Sequence, residues 1–429
     1  MNKLIVPLMV FICSSHVENI VGIDPLHDQY GQLIFTTLVY RHGERSFEKT
    51  YPTDPYANVS KYWPMGLGGL SLVGIEREYI LGKWLRDRYD RWLPKIYHVD
   101  DVFVQSSDFD RTIMSAQANL AGMYPSTFLT NDDLNKVPML SFQPIPIHTV
   151  PIFVDNKISS FATCPKYLKE YNKLFDDSKI QKFYDQYQSM FEYIKNNSQL
   201  EMGKNAVTST TLLFDVLFVE TTFNYTLPKW TKSIYPEPLL TVVKQNIELP
   251  THTLALKRLR GGALLNDIVH RMVEKKNRTL NPNRMIWIYS AHDSTIINLL
   301  DSMELFNYAI VPYGAVLMFE LRLNKTGSYV VTLSYRNSTK HEPHLLHLPG
   351  CDSVACELDQ FIDIIRPVLV TDWVAECNND NENNWFDRTG FLVVLIIAAV
   401  IVIIILFLIA TNKMEVCVRR TDFNRTVFQ

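Results

Sequence analysis

Leu33-Ile34-Phe35-Thr36-Thr37-Leu38-Val39-Tyr40 runs straight into Arg41-His42-Gly43-Glu44-Arg45. The first eight residues are apolar, aromatic or β-branched and read as a buried strand. The charged pentapeptide is the loop that ends it. Two further stretches repeat the arrangement. Residues 102–104 form a short strand before Asp108-Phe109-Asp110-Arg111-Thr112, and residues 285–289 precede Ser290-Ala291-His292-Asp293-Ser294-Thr295. Each strand leads into a helical pattern: 70–89, with Leu72, Ile75, Tyr79, Leu81 and Leu85 at apolar positions, then 111–123, then 294–303. Strands alternating with helices predict a layered α/β sheet with helices on both faces. The core is expected over 16–125 and 255–378. Residues 126–254, richer in Lys, Asp, Tyr and Asn, predict a smaller, mainly helical cap.

In open α/β sheets, ligands bind at the carboxyl ends of strands, near helix N-termini. Three such ends present Arg41, His42, Arg45, Arg111, His292 and Asp293, which together suit a dianionic tetrahedral group. Arginine offers permanently charged planar forks that match phosphoryl oxygens. A neutral imidazole can attack phosphorus and carry it covalently. A carboxylic acid can protonate the leaving oxygen and then activate water. Taken singly, an Arg-His pair is usually a surface feature, His-Asp a capped helix start and Asp-Arg a solvated pair. Their joint occurrence at three strand ends is what points to chemistry.

Composition narrows the class. The 429 residues are 47% apolar and 20% charged, with 42 basic and 45 acidic side chains and a formal net charge of −3. That excludes a disordered or low-complexity chain and argues against a nucleic-acid binder. Residues 1–15, with Lys3, an apolar run and Ser14-Ser15, read as a signal peptide. Residues 391–410 carry no polar side chain and match the ~20 residues of a transmembrane helix. The tail 411–429 holds Lys413, Arg419, Arg420 and Arg425 against Glu415 and Asp422. By the positive-inside rule it is cytoplasmic, so the expected form is a single-pass type I membrane protein with 379–390 as juxtamembrane linker. The tail has no Tyr and no Leu pair, which favours the cell surface over the lysosome.

An oxidising compartment is expected to pair the four cysteines of the outer portion. Cys351 and Cys356 bracket a short loop and are expected to join, leaving Cys164 with Cys377. Sequons at Asn58, Asn196, Asn224, Asn277, Asn324 and Asn337 mark expected glycosylation sites. No metal or cofactor is expected: His341-Glu342-Pro343-His344 lacks helical ligand spacing, and no close-set Cys pair faces another.

The motifs also carry a family resemblance. Arg41-His42-Gly43-Glu44-Arg45 resembles the RHGxR signature of the histidine acid phosphatases, branch 2 of the histidine phosphatase superfamily, and His292-Asp293 resembles their HD signature. Thr53-Asp54-Pro55, Trp63-Pro64, Asp110-Arg111-Thr112, Gln143-Pro144-Ile145-Pro146, Leu227-Pro228, Gly261-Gly262 and Leu348-Pro349-Gly350-Cys351 are similar to the prostatic and lysosomal members, in order. The resemblance implies that His42 is the phosphorylated nucleophile and Asp293 the proton donor. It implies that Arg41, Arg45, Arg111 and His292 bind the phosphoryl oxygens, with no metal or cofactor.

Expected partners are small phosphomonoester substrates, with phosphoproteins as further candidates, the membrane through 391–410, and no nucleic acid. Phe142 and His148 fall in a segment similar to the family's contact region, which extends the expectation to a homodimer. The chain departs from the family at Phe47, where a proline is usual, so a looser loop is expected there. Gln105 replaces an arginine, and Val219 and Val316 replace a cysteine pair. Two rival readings stand beside the acid phosphatase: a specialised inositol-phosphate or lysophospholipid phosphatase, and a catalytically inactive binding ectodomain.

Overall fold

The computed structural model describes residues 26–128, 142–159, 161–203 and 206–378, with the isolated positions 396, 400 and 403. The signal peptide 1–15, the linker 379–390, the tail 411–429 and all but those three positions of 391–410 lie outside the described residues. Ile396, Val400 and Ile403 are helical and exposed. Residues up to Glu376 form one compact unit, and those from Cys377 onward belong to a second.

The first unit is built on one mixed sheet. Its strands are β1 (Gln32–Arg41), β2 (Val102–Ser107), β3 (His148–Val150), β4 (Ile286–Ala291), β5 (Val316–Leu323), β6 (Tyr329–Arg336), β7 (His344–Leu346) and β8 (Ala355–Glu357). The order is β3-β2-β4-β1-β5-β6-β7, with β8 also paired to β6. The β3–β2, β2–β4 and β4–β1 pairs are parallel, and the β1–β5, β5–β6, β6–β7 and β6–β8 pairs are antiparallel.

Burial on both faces follows from β1. Phe35 and Val39 point into one core, filled by Leu264, Leu265 and Ile268 of the Ala263–Asn277 helix, by Ile296 and Leu299 of Asp293–Ser302, and by Phe361. Leu38 and Tyr40 point into the other, against Leu81 and Leu85 of the Leu72–Tyr89 helix and Ala116 and Leu120 of Asp110–Met123. Leu33 breaks the alternation and shares the face of Leu38, because the register with β5 shifts between Leu33 and Phe35. An extra residue in one strand reverses which face the following side chains meet.

The expected elements are present with small boundary changes. The helix predicted over 70–89 starts at Leu72, because Ser71 is its N-cap and its Oγ accepts from the Gly74 N–H at 3.0 Å. Leu70 instead bridges to Arg45. The strand predicted over 102–104 continues to Ser107. Between residues 165 and 248 the chain forms the helices Pro165–Lys173, Ser178–Asp185, Gln188–Ser198, Val207–Thr222 and Leu239–Glu248.

A charged network pins the sheet to its helices. Glu320 on β5 is fully buried and accepts from Arg88 Nη2 at 2.9 Å, the Tyr89 hydroxyl at 2.8 Å and Arg322 Nη2 at 2.7 Å. Burial alone would raise its pKa, but Arg88 and Arg322 hold it down at about 2. Cys351 and Cys356 are disulfide-bonded with Cα atoms 5.4 Å apart, and Cys164 and Cys377 are each disulfide-bonded.

Candidate active site

The sheet order puts β2, β4 and β1 side by side and parallel, so their carboxyl ends share one edge. Tyr40 and Ser106 both pair with Ser290, and Arg41 pairs with Ala291. The three sequence motifs, whose residues lie up to 252 positions apart in the chain (Arg41 to Asp293), therefore emerge close to one another, as ~5 Å strand spacing dictates. Arg41, His42, Arg45, Arg111, His292 and Asp293 all line one cavity of about 410 Å³.

The loop after β1 is held tightly. A Cβ on Gly43 would meet the Gly74 carbonyl oxygen at 2.3 Å, and one on Gly74 would meet that of Glu44 at 2.4 Å. Only two glycines allow this backbone contact. The Gly43 N–H donates to Ser115 Oγ at 3.2 Å, and Glu44 accepts from Arg77 Nε at 2.6 Å. Phe47 corrects the expectation of a looser loop. Its ring is fully buried and packs edge-on to Trp63 at 4.8 Å, and its carbonyl accepts from the Gly68 N–H at 2.8 Å. A large aromatic anchored in a pocket restrains the loop.

His42 is buried, with its ring 5.5 Å from that of His292 and 5.9 Å from that of Tyr313. Its Nδ1 lies 2.8 Å from the Gly43 carbonyl, which can only accept, so Nδ1 carries the proton and Nε2 keeps its lone pair. Arg111 Nε donates to that Nε2 at 3.3 Å. Burial first, then the charges of Arg41 and Arg111, push the His42 pKa well below the usual imidazole value. Both effects favour the neutral form of the imidazole.

The arginines converge on His42 from three directions, and each meets a carboxylate. Arg41 Nη2 pairs with Asp293 Oδ2 at 2.9 Å while its guanidinium lies 3.9 Å over the Tyr313 ring. Arg45 makes a two-pronged pair with Asp215, at 3.1 and 3.0 Å. Arg111 Nη2 lies 2.7 Å from Glu48 Oε1. His292 is the N-cap of the helix after β4, with Asp293 as its first residue, so the cap falls one residue earlier than an Asp-capped start would have it. His292 Nε2 shares a hydrogen bond with Ser107 Oγ at 2.8 Å, and its backbone N–H donates to Thr295 Oγ1 at 3.4 Å. Burial and then Arg111 lower the His292 pKa, against the pull of Asp293. Burial raises the Asp293 pKa, but Arg41 and Arg45 outweigh it and hold the carboxyl below its ordinary value.

Glu48, Ser107, Asp215 and Tyr313 belong to this site and escaped sequence reasoning. Asp215 left one trace: with Glu220, it is one of two charges in the otherwise uncharged Val207–Thr222 helix. Glu48 stands three residues past Arg45 and could have been flagged by proximity. Ser107 and Tyr313 carry no sign of their role. Among the described residues no cluster of His, Cys, Asp or Glu is placed to hold a metal ion.

Residues 32–336 match the family model described as "Histidine phosphatase superfamily (branch 2)". The chain is 35% identical over 360 residues to human prostatic acid phosphatase, covering 82% of this chain and 89% of the relative. It is 35% identical over 355 residues to rat lysosomal acid phosphatase, covering 81% of each. Among solved structures, the phytase of Citrobacter braakii superposes with a TM-score of 0.59 at 20% identity, over 81% of this chain and 99% of that one. The tartrate complex of Hafnia alvei phytase gives 0.60 at 18% identity, over 81% and 98%. These two likenesses concern the fold.

Proposed function

The chain belongs to the histidine phosphatase superfamily, branch 2, and from that premise we propose that it is an acid phosphatase that hydrolyses phosphate monoesters through a phosphohistidine on His42. The observation that carries this reading is the His42 ring: neutral, its Nδ1 proton committed to Gly43, and its Nε2 facing Arg111 at 3.3 Å. A phosphoryl group entering the site takes the Arg111 donor onto an oxygen and frees the lone pair.

In the first step Nε2 attacks phosphorus, the P–O bond to the alcohol breaks, and Asp293 gives its proton to the departing oxygen. Water then attacks phosphorus and gives a proton to Asp293, the P–N bond breaks with its electron pair returning to Nε2, and inorganic phosphate leaves. Arg41, Arg45, Arg111 and His292 stabilise the charge on the oxygens during both transfers. The Arg41 guanidinium, paired with Asp293, favours the ionised carboxylate. A bound phosphoryl group neutralises that field, so the Asp293 pKa rises when substrate arrives, and low pH assists.

The same proposal places the cap over 126–254 and the core over 16–125 and 255–378. It joins Cys164 to Cys377 and spans the membrane once with 391–410, leaving the catalytic part lumenal or extracellular and favouring the cell surface. The apolar stretch and the basic tail support the membrane span and its orientation. Among the described residues no helix is long and apolar enough to cross a membrane. Asn58, Asn196, Asn224 and Asn277 are exposed and Asn324 and Asn337 half-buried, which suits glycosylation of the first four best. Homodimer formation would use the Phe142 and His148 segment, where β3 is the sheet edge among the described residues.

The test is phosphate release from an aryl phosphate between about pH 4 and about 8, with His42→Ala beside the native chain. Loss of the nucleophile is expected to lower kcat on the order of 10⁴-fold or more. A native chain no faster than the variant sinks the reading.

A further inference from the structure

Glu220 is a buried acid that the proposed reaction does not use. It lies on the Val207–Thr222 helix, is fully buried, and neither carboxyl oxygen has a donor among the described residues. The side chain it meets is a second acid, Asp54, in the chain that follows the β1 loop. Asp54 is also buried but well supplied with donors: Oδ1 accepts from the Tyr56 N–H at 2.6 Å and Oδ2 from the Thr50 hydroxyl. The other titratable groups that face Glu220 are Tyr51, whose buried hydroxyl also lacks a partner, and Tyr235, just before the Leu239–Glu248 helix. None of the three is basic.

Two ionised carboxylates only accept, so they repel and form no hydrogen bond with each other. One proton changes that. Asp54 already receives two donors and Glu220 receives none, so the proton belongs on Glu220, which then donates to Asp54. Burial, and then the charge of Asp54, push the Glu220 carboxyl up to about 9. The contact joins two segments that flank the site arginines. Glu220 shares its helix with Asp215, the partner of Arg45, and Asp54 follows Glu48, the partner of Arg111. Beside the pair, the Tyr56 hydroxyl donates to the Thr226 carbonyl at 2.8 Å and its ring stacks on Tyr225 at 4.5 Å. We propose that Glu220 and Asp54 form a proton-dependent latch between the Asp215 helix and the Glu48 loop, closed in acid and slackening as the pH rises. The latch requires no assumption about the reaction.

An unburied glutamate titrates near 4.5 and the latched one near 9. Between those values the closed form holds one proton more than the open form. The opening equilibrium therefore rises tenfold per pH unit across that window and is level below it. Hydrogen exchange of the full chain, corrected for the intrinsic base dependence of the reaction, is followed between about pH 5 and about 8. The reporters are the Tyr56 amide, which donates to Asp54, and the Tyr225 amide, which donates to the Glu220 carbonyl. Their protection is expected to fall about tenfold per pH unit in the native chain. Glu220→Gln donates an amide N–H to Asp54 with no titrating proton, and should hold protection constant. Asp54→Asn offers Glu220 a donor and should end the fall at lower pH. Infrared difference spectra of native chain minus Glu220→Gln should show the C=O stretch of a protonated carboxyl at neutral pH. Glu78, another buried acid with a raised pKa, is common to both chains and cancels. Level protection in the native chain, a fall that persists unchanged in Glu220→Gln, or a difference spectrum without that band overturns the latch. Should Glu220→Gln not fold, the native slope and its shift in Asp54→Asn decide alone.

Discussion

Two clusters of arginines and carboxylates lie in the same unit and do opposite work. At Arg88, Glu320 and Arg322 every partner is buried: both arginine side chains are at most 4% exposed and Glu320 is not exposed at all. Around His42 the arginines are also buried, at 10% exposure or less, but their carboxylates are not. Asp293, Asp215 and Glu48 are 40%, 30% and 46% exposed. A carboxylate sealed from water cannot be exchanged for another anion, so the first cluster is structural. A half-solvated carboxylate can release its arginine when a phosphoryl group arrives, so the second cluster can bind and turn over. The accessibility of the acid, with the same two residue types, decides between framework and site.

The sharpest break in that comparison is Glu320→Gln. It removes the buried carboxylate charge that Arg88 and Arg322 share and is expected to cost about 3–5 kcal/mol of stability, read as a fall in the denaturation midpoint. The folded pKa of Glu320, about 2, lies below its ordinary value of 4.5. Its stabilisation is therefore complete above about pH 4.5 and is lost as pH falls toward about 2. The gap between native chain and variant should be constant from neutral pH to mild acid and close only below that. A gap that already closes near neutrality would show that Glu320 is not held as the buried anion described here.

Asp215→Asn probes the other cluster with a smaller effect. Removing a half-exposed charge should leave stability within about 1 kcal/mol of native. Arg45 then acts on the phosphoryl oxygens without an opposing charge, so inhibition by inorganic phosphate should tighten by up to about tenfold. The stronger field also depresses the Asp293 pKa, moving the basic limb of the pH–rate profile to lower pH. Weaker phosphate binding with an unmoved limb would make Asp215 a mere brace for Arg45.

Much of this was legible because it is local. The apolar run from Leu33 to Tyr40, the helical spacing from Leu72 to Leu85 and the charged strand ends are patterns within ten or twenty residues. Parallel pairing of β1, β4 and β2 then brings the motifs together without any further signal. What escaped is what depends on distant partners. Asp215 meets Arg45 across 170 residues and Glu320 meets Arg88 across 232. Glu320 sits in an apolar strand run, Val316–Leu323, where nothing in the spacing distinguishes a buried anion from an edge residue. Phe47 shows the same limit from the other side: the residue that departs from the family pattern restrains the loop through Trp63, sixteen positions away.

The reaction itself is tested most directly by trapping its intermediate. The full chain is mixed with an aryl phosphate in mild acid, quenched in base within one turnover, digested and mapped by mass spectrometry. A phosphoryl group on Nε2 of His42, absent from His42→Ala, is the expected result. Turnover with the phosphoryl group on any other side chain, or with no phosphorylated protein at all, would contradict it.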